Sequence, residues 1–329
     1  MKGSLERFVI LSDVHANGTA LEAVLARVAE IEAERGCSFQ ILVNGDFLDA
    51  GPHPQRTAEL LQQHAQVFVC GNHEEYLLDC SRHPANQRYH DPLWRYVPWT
   101  VKRLGHEVLE MFARKMVFGW QSPSGVVQLV HASRESSSKM PAFFGAQDRA
   151  RNRIPQTQLL ECDKVFFAGH SHYLGVHWEP GHRNVWINTG SVGYPFLQKA
   201  AESQNCPAAS FVWVEVQPAH QPLQVQKKAQ IEVHFECVYY SRAKLLQDTL
   251  NSGVLEQCAP YSVAILAQSL FNEDLVFPFF QQARKQGISQ TRLAAALVHF
   301  LNAQNIYARL QSAFDEEQIE VDLSALSAV

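Results

Sequence analysis

Residues 7–17 read RFVILSDVHAN, a short apolar run that ends abruptly in a polar loop. The run from Phe8 to Leu11 has the length and composition of a strand that is buried on both faces. Asp13 and His15, two residue types that bind metal ions, follow it at once. A single Asp-x-His after a strand is more often a helix cap or ordinary loop polarity, so the pattern indicates function only if it recurs.

The pattern of an apolar run followed by a polar loop recurs four more times. The later loops are GDFLD at 45–49, GNHE at 71–74, VHA at 130–132 and GHSH at 169–172. Strand ends of an open sheet meet at one carboxyl edge, where such sheets bind ligands, so we expect all five loops to lie together. They would gather carboxylate, amide and imidazole groups, and seven such donors exceed what one tetrahedral metal ion needs.

The segments between the runs predict helices that cover a sheet. Residues 19–34 carry apolar side chains at helical spacing and stop at a glycine, and residues 55–63 suggest a second helix. This β-α-β-α-β opening implies right-handed crossovers. Residues 93–116 read as one or two amphipathic helices, and the strand-rich pattern after Val185 predicts a second sheet packed on the first. The predicted fold class is α/β.

From about Tyr240 the pattern becomes helical, with apolar residues 293, 297 and 301 on one face. Helices are predicted at 241–250, 262–271, 275–285 and 291–303. We therefore predict a domain at 1–239 and a helical C-terminal extension at 240–329. The extension could shape substrate access, form a dimer interface or cover the outer sheet, and the sequence leaves these alternatives open.

Composition narrows the class of protein. The chain has 28 Lys and Arg against 33 Asp and Glu, a net charge of -5, and no basic block, which disfavours nucleic acid as a partner and a nuclease as the function. Seven cysteines without a CxxC pair disfavour a disulfide framework and a thiolate zinc site. Residues 1–11 contain neither a signal-peptide core nor a membrane span, so we expect a cytoplasmic protein with no membrane partner.

The five loops, in order and unbroken, resemble the motifs of the calcineurin-like metallophosphoesterases: D-x-H, G-D-x-x-D, G-N-H-[DE], a lone H and G-H-x-H. The surrounding sequence, SDVHAN at 12–17, GPHP at 51–54 and NTGSVG at 188–193, is closest to the small phosphodiesterase or diadenosine-tetraphosphatase-like branch. The resemblance covers residues 7–239 and implies two packed mixed β-sheets flanked by helices, an αββα sandwich. The extension has no counterpart in it.

The resemblance implies a set of metal ligands around two divalent transition-metal ions. Manganese, iron, zinc, nickel and cobalt all suit oxygen and imidazole donors, so the identity of the metal stays open. The implied ligands are Asp13, His15 and His172 for one ion, and Asn72, His131 and His170 for the other, with Asp46 bridging both.

Other residues are candidates for contact with a substrate. The resemblance places His73 over the substrate, where an imidazole can protonate the departing oxygen or hold a phosphoryl oxygen, and makes Asp49 a candidate to orient it. Asn17 could contact a phosphoryl oxygen or cap the helix that follows it. Arg134 could bind a phosphate or lie in a solvated loop.

These observations predict dinuclear metal-dependent hydrolysis of a small phosphate ester, a phosphodiester first of all, by a metal-bridging hydroxide. The alternatives are a non-catalytic protein-interaction scaffold on the same fold, or a phosphomonoesterase or protein phosphatase. Protein phosphatases of the superfamily continue with Arg-Gly where this chain has Ala50-Gly51, which disfavours that activity. A homo-oligomer is left open.

Overall fold

The computed structural model describes residues 5–144, 154–197, 206–217 and 229–327. Two β-sheets pack face to face in this part of the chain, with helices around them. The strands are β1 (Glu6–Leu11), β2 (Gln40–Asn44), β3 (Ala65–Val69), β4 (Met116–Val117), β5 (Gly119–Gln121), β6 (Val127–Val130), β7 (Gln158–Cys162), β8 (Lys164–Ala168), β9 (Leu174–Trp178), β10 (Asn184–Thr189), β11 (Ala208–Gln217) and β12 (Ala229–Tyr239).

The helices fall into an N-terminal group and a C-terminal group. The first group is α1 (Gly18–Arg35), α2 (Pro54–His64), α3 (Asn72–Arg82), α4 (Tyr96–Leu104) and α5 (His106–Lys115). The second is α6 (Arg242–Ser252), α7 (Val254–Gln257), α8 (Tyr261–Phe271), α9 (Val276–Lys285), α10 (Leu293–Ala303), α11 (Ile306–Glu316) and α12 (Ser324–Ser327). No α-helix of the described residues is both long enough and apolar enough to cross a lipid bilayer.

The first sheet has the strand order β4-β3-β2-β1-β11-β12-β7. Strands β1 to β4 are parallel to one another, whereas β11, β12 and β7 join by antiparallel pairing. Strand β1 is apolar without interruption because both of its faces are buried. Phe8 and Ile10 belong to the core between the two sheets, and Val9 and Leu11 to the core under the helices.

The second sheet has the order β5-β6-β8-β10-β9, with β6, β8 and β10 parallel. Its strands come from residues 119–189, and β11 and β12 return to the first sheet. The expectation that a second sheet begins after Val185 was therefore wrong in its boundaries. The prediction that all five polar loops follow strands of one open sheet was also wrong. Three of them follow β1, β2 and β3 of the first sheet, and two follow β6 and β8 of the second.

The predicted class, an α/β fold of two packed mixed sheets flanked by helices with a helical C-terminal part, is confirmed. Helices α1, α2, α4 and α5 lie where the sequence predicts them. Helix α3 is a difference, since the GNHE stretch is predicted as a loop and instead forms the first turn of an α-helix.

The C-terminal helices share a hydrophobic core with the N-terminal part. Leu246, Leu301 and Leu310 are fully buried and belong to the same apolar cluster as Val24 and Val97. Tyr261 of α8 stacks on Tyr96 of α4 with ring centroids 4.6 Å apart. Residue 240 therefore marks a change of secondary structure, while the packing continues across it.

This shared core predicts that the two parts unfold together. Leu310→Ala should lower the free energy of unfolding by about 2–5 kcal/mol, because it leaves a cavity in the core. All six tryptophans precede residue 214, so tryptophan fluorescence during urea unfolding reports only on the N-terminal part. Leu159→Ala is the control, because Leu159 is 75% exposed. A fluorescence midpoint that Leu310→Ala leaves unchanged would show that the extension is an independent unit.

Candidate metal centre

Backbone hydrogen bonds join the loops that follow β1 and β2. The amide of Asp13 donates to Gly45 O, that of His15 to Asp46 O and that of Ala16 to Phe47 O, each over 3.0 Å. The two loops therefore continue side by side beyond the point where the strands end. This pairing fixes the candidate ligands of both loops relative to one another.

Asn44 connects the end of β2 to the second sheet. Its Nδ2 donates to Val130 O over 3.0 Å and to Phe167 O over 3.2 Å, both of them in the second sheet. The backbone carbonyl of Asn44 lies 2.7 Å from His131 Nδ1, which donates to it. Asn44 thus holds the strand ends of both sheets at one place, so loops from separate sheets can form one site.

A first group of candidate ligands consists of Asp13, His15 and His172, all buried. His172 Nε2 lies 3.2 Å from Asp13 Oδ1 and 3.3 Å from His15 Nε2. The ligand atoms of all three lie within 4.8 Å of one another. One nitrogen of each ring and one carboxylate oxygen therefore converge, as donors around one metal ion must.

A second group consists of Asp46, His131 and His170, whose ligand atoms also lie within 4.8 Å of one another. His131 Nε2 lies 3.0 Å from Asp46 Oδ2. Asn72 is buried at the start of α3 and lines the same cavity as Asp46 and His170. Its Oδ1 accepts no hydrogen bond from the described residues.

The electrostatics of these groups suit cations. His131 Nδ1 donates its proton to the Asn44 carbonyl, so Nε2 of the neutral ring carries a lone pair that faces Asp46 Oδ2. Two such electron-rich atoms repel each other, so a proton or a metal ion must lie between them. Burial lowers the pKa of His131, but Asp46 and Asp13 outweigh burial and raise it to about 10. The same negative field would hold a metal ion in place of that proton. Donor types, burial and charge therefore fit a metal-binding site.

His73 and Asp49 form a hydrogen-bonded pair beside the two groups. His73 Nδ1 lies 2.8 and 2.9 Å from the two oxygens of Asp49, which is fully buried. Burial lowers the pKa of His73, but the carboxylates of Asp49 and Asp46 outweigh it and raise it to about 9. Asp49 also lies 3.6 Å from His15 Nδ1, so one carboxylate touches both a candidate ligand and the candidate acid.

A cavity of about 440 Å³ opens over these side chains. Its described lining includes His15, Asp46, Asn72, His73, His170 and His172. Residues of α8, α9 and the turn between them form much of the remaining wall. The extension therefore does more than cover an outer surface, which was one of the three roles left open for it.

The sequence pattern of the calcineurin-like phosphoesterases matches residues 6–199. The chain belongs to the calcineurin-like phosphoesterase family. The match spans more than half of the chain and ends before the C-terminal helices. No curated protein matches this chain.

Several solved structures are similar to this chain. Hypothetical protein PH1004 from Pyrococcus horikoshii OT3 has a TM-score of 0.53 and 18% identity, over 79% of this chain and 97% of its own. A metallophosphoesterase from Sphaerobacter thermophilus has a TM-score of 0.49 and 22% identity, over 79% and 99%. A putative diadenosine tetraphosphatase has a TM-score of 0.39 and 15% identity, over 65% and 91%. At these identities the first of these similarities supports the fold alone.

The candidate metal centre is built on strained backbone. Five of its candidate ligands have positive φ angles, from 47° to 62°, a region that side chains other than glycine rarely adopt: Asp13, His15, Asp46, His170 and His172. Glycines give these residues room. A Cβ atom at Gly71 would collide with Asp46 Oδ1, and one at Gly169 with Ser12 Oγ. The conformations that bring the ligands together depend on such close backbone approaches.

Glu74, to which the sequence assigns no role, fixes the bridging candidate Asp46. Its carboxylate accepts the backbone N–H groups of Asp46, Phe47 and Gly71 over 2.7, 2.8 and 3.1 Å. Burial raises the pKa of Glu74 to about 7, with Asp46 and Asp49 adding to the effect. The sequence did carry a signal for this role. Glu74 is the acidic residue that ends GNHE, and it lies in the first turn of α3, where a capping carboxylate is favoured.

The two candidates for substrate contact lie elsewhere. Asn17 Oδ1 accepts the N–H of Ala20 as the cap of α1, and its Nδ2 donates to Gly193 O and Tyr240 Oη. Both ends of this amide are therefore engaged, which supports the capping alternative over contact with a phosphoryl oxygen. Arg134, the candidate for binding a phosphate, is not among the described residues that line the cavity. Its guanidinium pairs with Glu179 at 2.8 Å and lies over the Phe166 ring.

Glu74→Gln should loosen the loop that carries Asp46. The substituted amide replaces an acceptor oxygen with a donor that faces backbone N–H groups, so we expect a loss of about 1–3 kcal/mol in the free energy of unfolding. Urea unfolding of the metal-free protein measures it. Glu75→Gln is the matched control, because the adjacent Glu75 is exposed. Equal stabilities of the two variants would contradict the role of Glu74.

Proposed function

We propose that this protein is a hydrolase that cleaves a phosphate ester, and a diester in particular, with two divalent metal ions. One observation carries the proposal: two groups of Asp and His side chains, all buried except the half-buried His170, converge beside the His73–Asp49 pair under a cavity. A non-catalytic scaffold does not need such a constellation. Membership of the phosphoesterase family agrees with hydrolysis of an ester.

Asp13, His15 and His172 would hold one ion, and Asn72, His131 and His170 the other, with Asp46 shared. When bound, two divalent cations supply an activated water nucleophile and neutralise charge on the phosphoryl oxygens. The protein contributes fixed ligand positions. Glu74 holds the loop of Asp46, and the carbonyl of Asn44 sets the tautomer of His131.

His73 would act on the leaving group. Asp49 accepts from Nδ1 and fixes the ring orientation, which leaves Nε2 as the nitrogen that can donate a proton in the cavity. A departing alkoxide needs such a proton, because it is a strong base. Asp49 is a positioning residue in this account, since it acts through the imidazole.

Charge favours a diester over a monoester. A diester carries one negative charge at neutral pH and a monoester close to two, and anions bind best where cationic side chains assist. The described residues that line the cavity include His73, whose pKa is raised, but no Lys or Arg. Ala50 stands where protein phosphatases have arginine, which disfavours a phosphoprotein substrate as well.

Purified protein reconstituted with Mn²⁺ or Zn²⁺ should hydrolyse bis(4-nitrophenyl) phosphate faster than 4-nitrophenyl phosphate. Asp46→Asn should lower both the metal content and kcat/KM, because a charge shared by two ions is removed. Elemental analysis and initial rates measure these effects. Asp163→Asn is the control, because the Asp163 side chain is 62% exposed. Reconstituted protein that hydrolyses no member of a panel of monoesters, diesters, cyclic nucleotides and dinucleoside polyphosphates would favour the scaffold.

His73→Ala should slow alkyl esters far more than nitrophenyl esters. General acid catalysis is typically worth about 10²–10⁴-fold, and nitrophenolate departs without a proton. Asp49→Asn should show the same selectivity more weakly, because the imidazole remains. The measurement is a leaving-group series of kcat/KM values at equal metal content.

His90→Ala controls for the loss of an imidazole, because His90 is exposed. If the His73→Ala variant lost the same factor for good and poor leaving groups, His73 would hold a phosphoryl oxygen and would not act as the acid.

A further inference from the structure

The cavity over the candidate metal centre also has an apolar wall. The aromatic and aliphatic side chains of this wall come from two sources. The C-terminal extension contributes Tyr261, Ile265, Val276, Phe277 and Phe280, and earlier segments contribute Met140, Phe144 and Phe196. One cavity therefore joins a group of metal-binding side chains to an apolar wall.

We propose that the C-terminal extension selects phosphate esters that carry a flat, uncharged apolar group, and that this group binds against Phe277 and Phe280. The inference rests on the proposed function, since it names the class of substrate for the same site. It assigns a specificity role to a part of the chain that contains no candidate metal ligand.

The apolar wall is held in place by contacts of its own. Tyr261 stacks on Tyr96, which lies beside His73 with ring centroids 5.8 Å apart. Gln268 Oε1 accepts the backbone N–H groups of Leu275 and Val276 over 2.8 and 2.9 Å. The first of these contacts ties α8 to the body of the protein, and the second ties the start of α9 to α8. The wall is therefore preorganised, which reduces the cost of binding.

The exposure of the two phenylalanines indicates what the wall binds. Phe277 is 42% exposed and Phe280 is 39% exposed, although both line a cavity. Covering this surface with an apolar group removes it from water and favours binding. Aromatic rings also face the cavity from Phe144 and Phe196, so a planar group could stack or pack edge-on against its surroundings.

Charge argues that this group is uncharged. The described lining has no Lys or Arg, and the wall carries the carboxylate of Asp274. Asp274 accepts a hydrogen bond from Tyr173 Oη over 3.0 Å and another from the N–H of Phe277 over 3.1 Å. A second phosphate, as in a polyphosphate chain or a nucleic-acid backbone, would lie near this carboxylate, and the described lining offers it no Lys or Arg. The apolar wall therefore suits a neutral substituent.

Two phosphonates that share the anion and differ in the substituent test the inference. We expect 1-naphthylmethylphosphonate to bind Mn²⁺-reconstituted protein at least about tenfold more tightly than methylphosphonate, because the ring system is buried against the wall. Isothermal titration calorimetry gives both dissociation constants. In the double variant Phe277→Ala/Phe280→Ala the preference should fall below about threefold. Phe118→Ala should retain it, because Phe118 is 49% exposed and lies outside the cavity.

Equal affinities of the two phosphonates for wild-type protein would overturn the inference. So would a preference that survives in a double variant with a native circular dichroism spectrum, or no binding of either compound. The proposed function is judged separately, by whether the metal-loaded protein hydrolyses any ester. An active enzyme without a preference for the naphthyl group would refute the inference alone, and a naphthyl preference in a protein that hydrolyses no ester would refute the function alone.

Discussion

The candidate metal centre depends on three carboxylates that are negatively charged although they are buried. Asp13, Asp46 and Asp49 are at most 2% exposed. Burial by itself would raise their pKa values and favour the neutral acids, yet the neighbouring imidazoles outweigh burial and lower all three. A buried charge that lost its partners would cost several kcal/mol, so these carboxylates and imidazoles depend on one another.

The architecture supplies those partners from both sheets. Asn44 joins the ends of strands in the two sheets, and Glu74 fixes the loop of Asp46 from a helix cap. Positive φ angles at the candidate ligands show that backbone strain is accepted to bring them together. The C-terminal helices add to the cavity: Tyr261 of α8 stacks on Tyr96, which lies beside His73, and residues of α8 and α9 line the cavity together with the candidate ligands. The candidate ligands thus come from the N-terminal part of the chain, and the C-terminal helices contribute to the wall of the cavity.

Local sequence signals predicted the strands before the five loops, most of the helices and those polar residues of the five loops that line the cavity, because each signal lies within a few neighbouring residues. Pairing between distant segments was not predictable in this way: β11 lies beside β1 although some 200 residues separate Val9 from its partner Trp213. Helix α3 was hidden because its first turn is also the GNHE motif. The roles of Phe277 and Phe280 had no signal either, since apolar helix residues look alike whether they line a cavity or fill a core.

The proposed function requires two metal ions between the loops of the two sheets, with Asp46 shared. Anomalous diffraction from crystals of the Mn²⁺-loaded protein locates each ion independently of activity. We expect two peaks, one among Asp13, His15 and His172 and the other among Asn72, His131 and His170, with Asp46 in contact with both. A single peak, or two peaks of which Asp46 touches only one, would rule out the shared site.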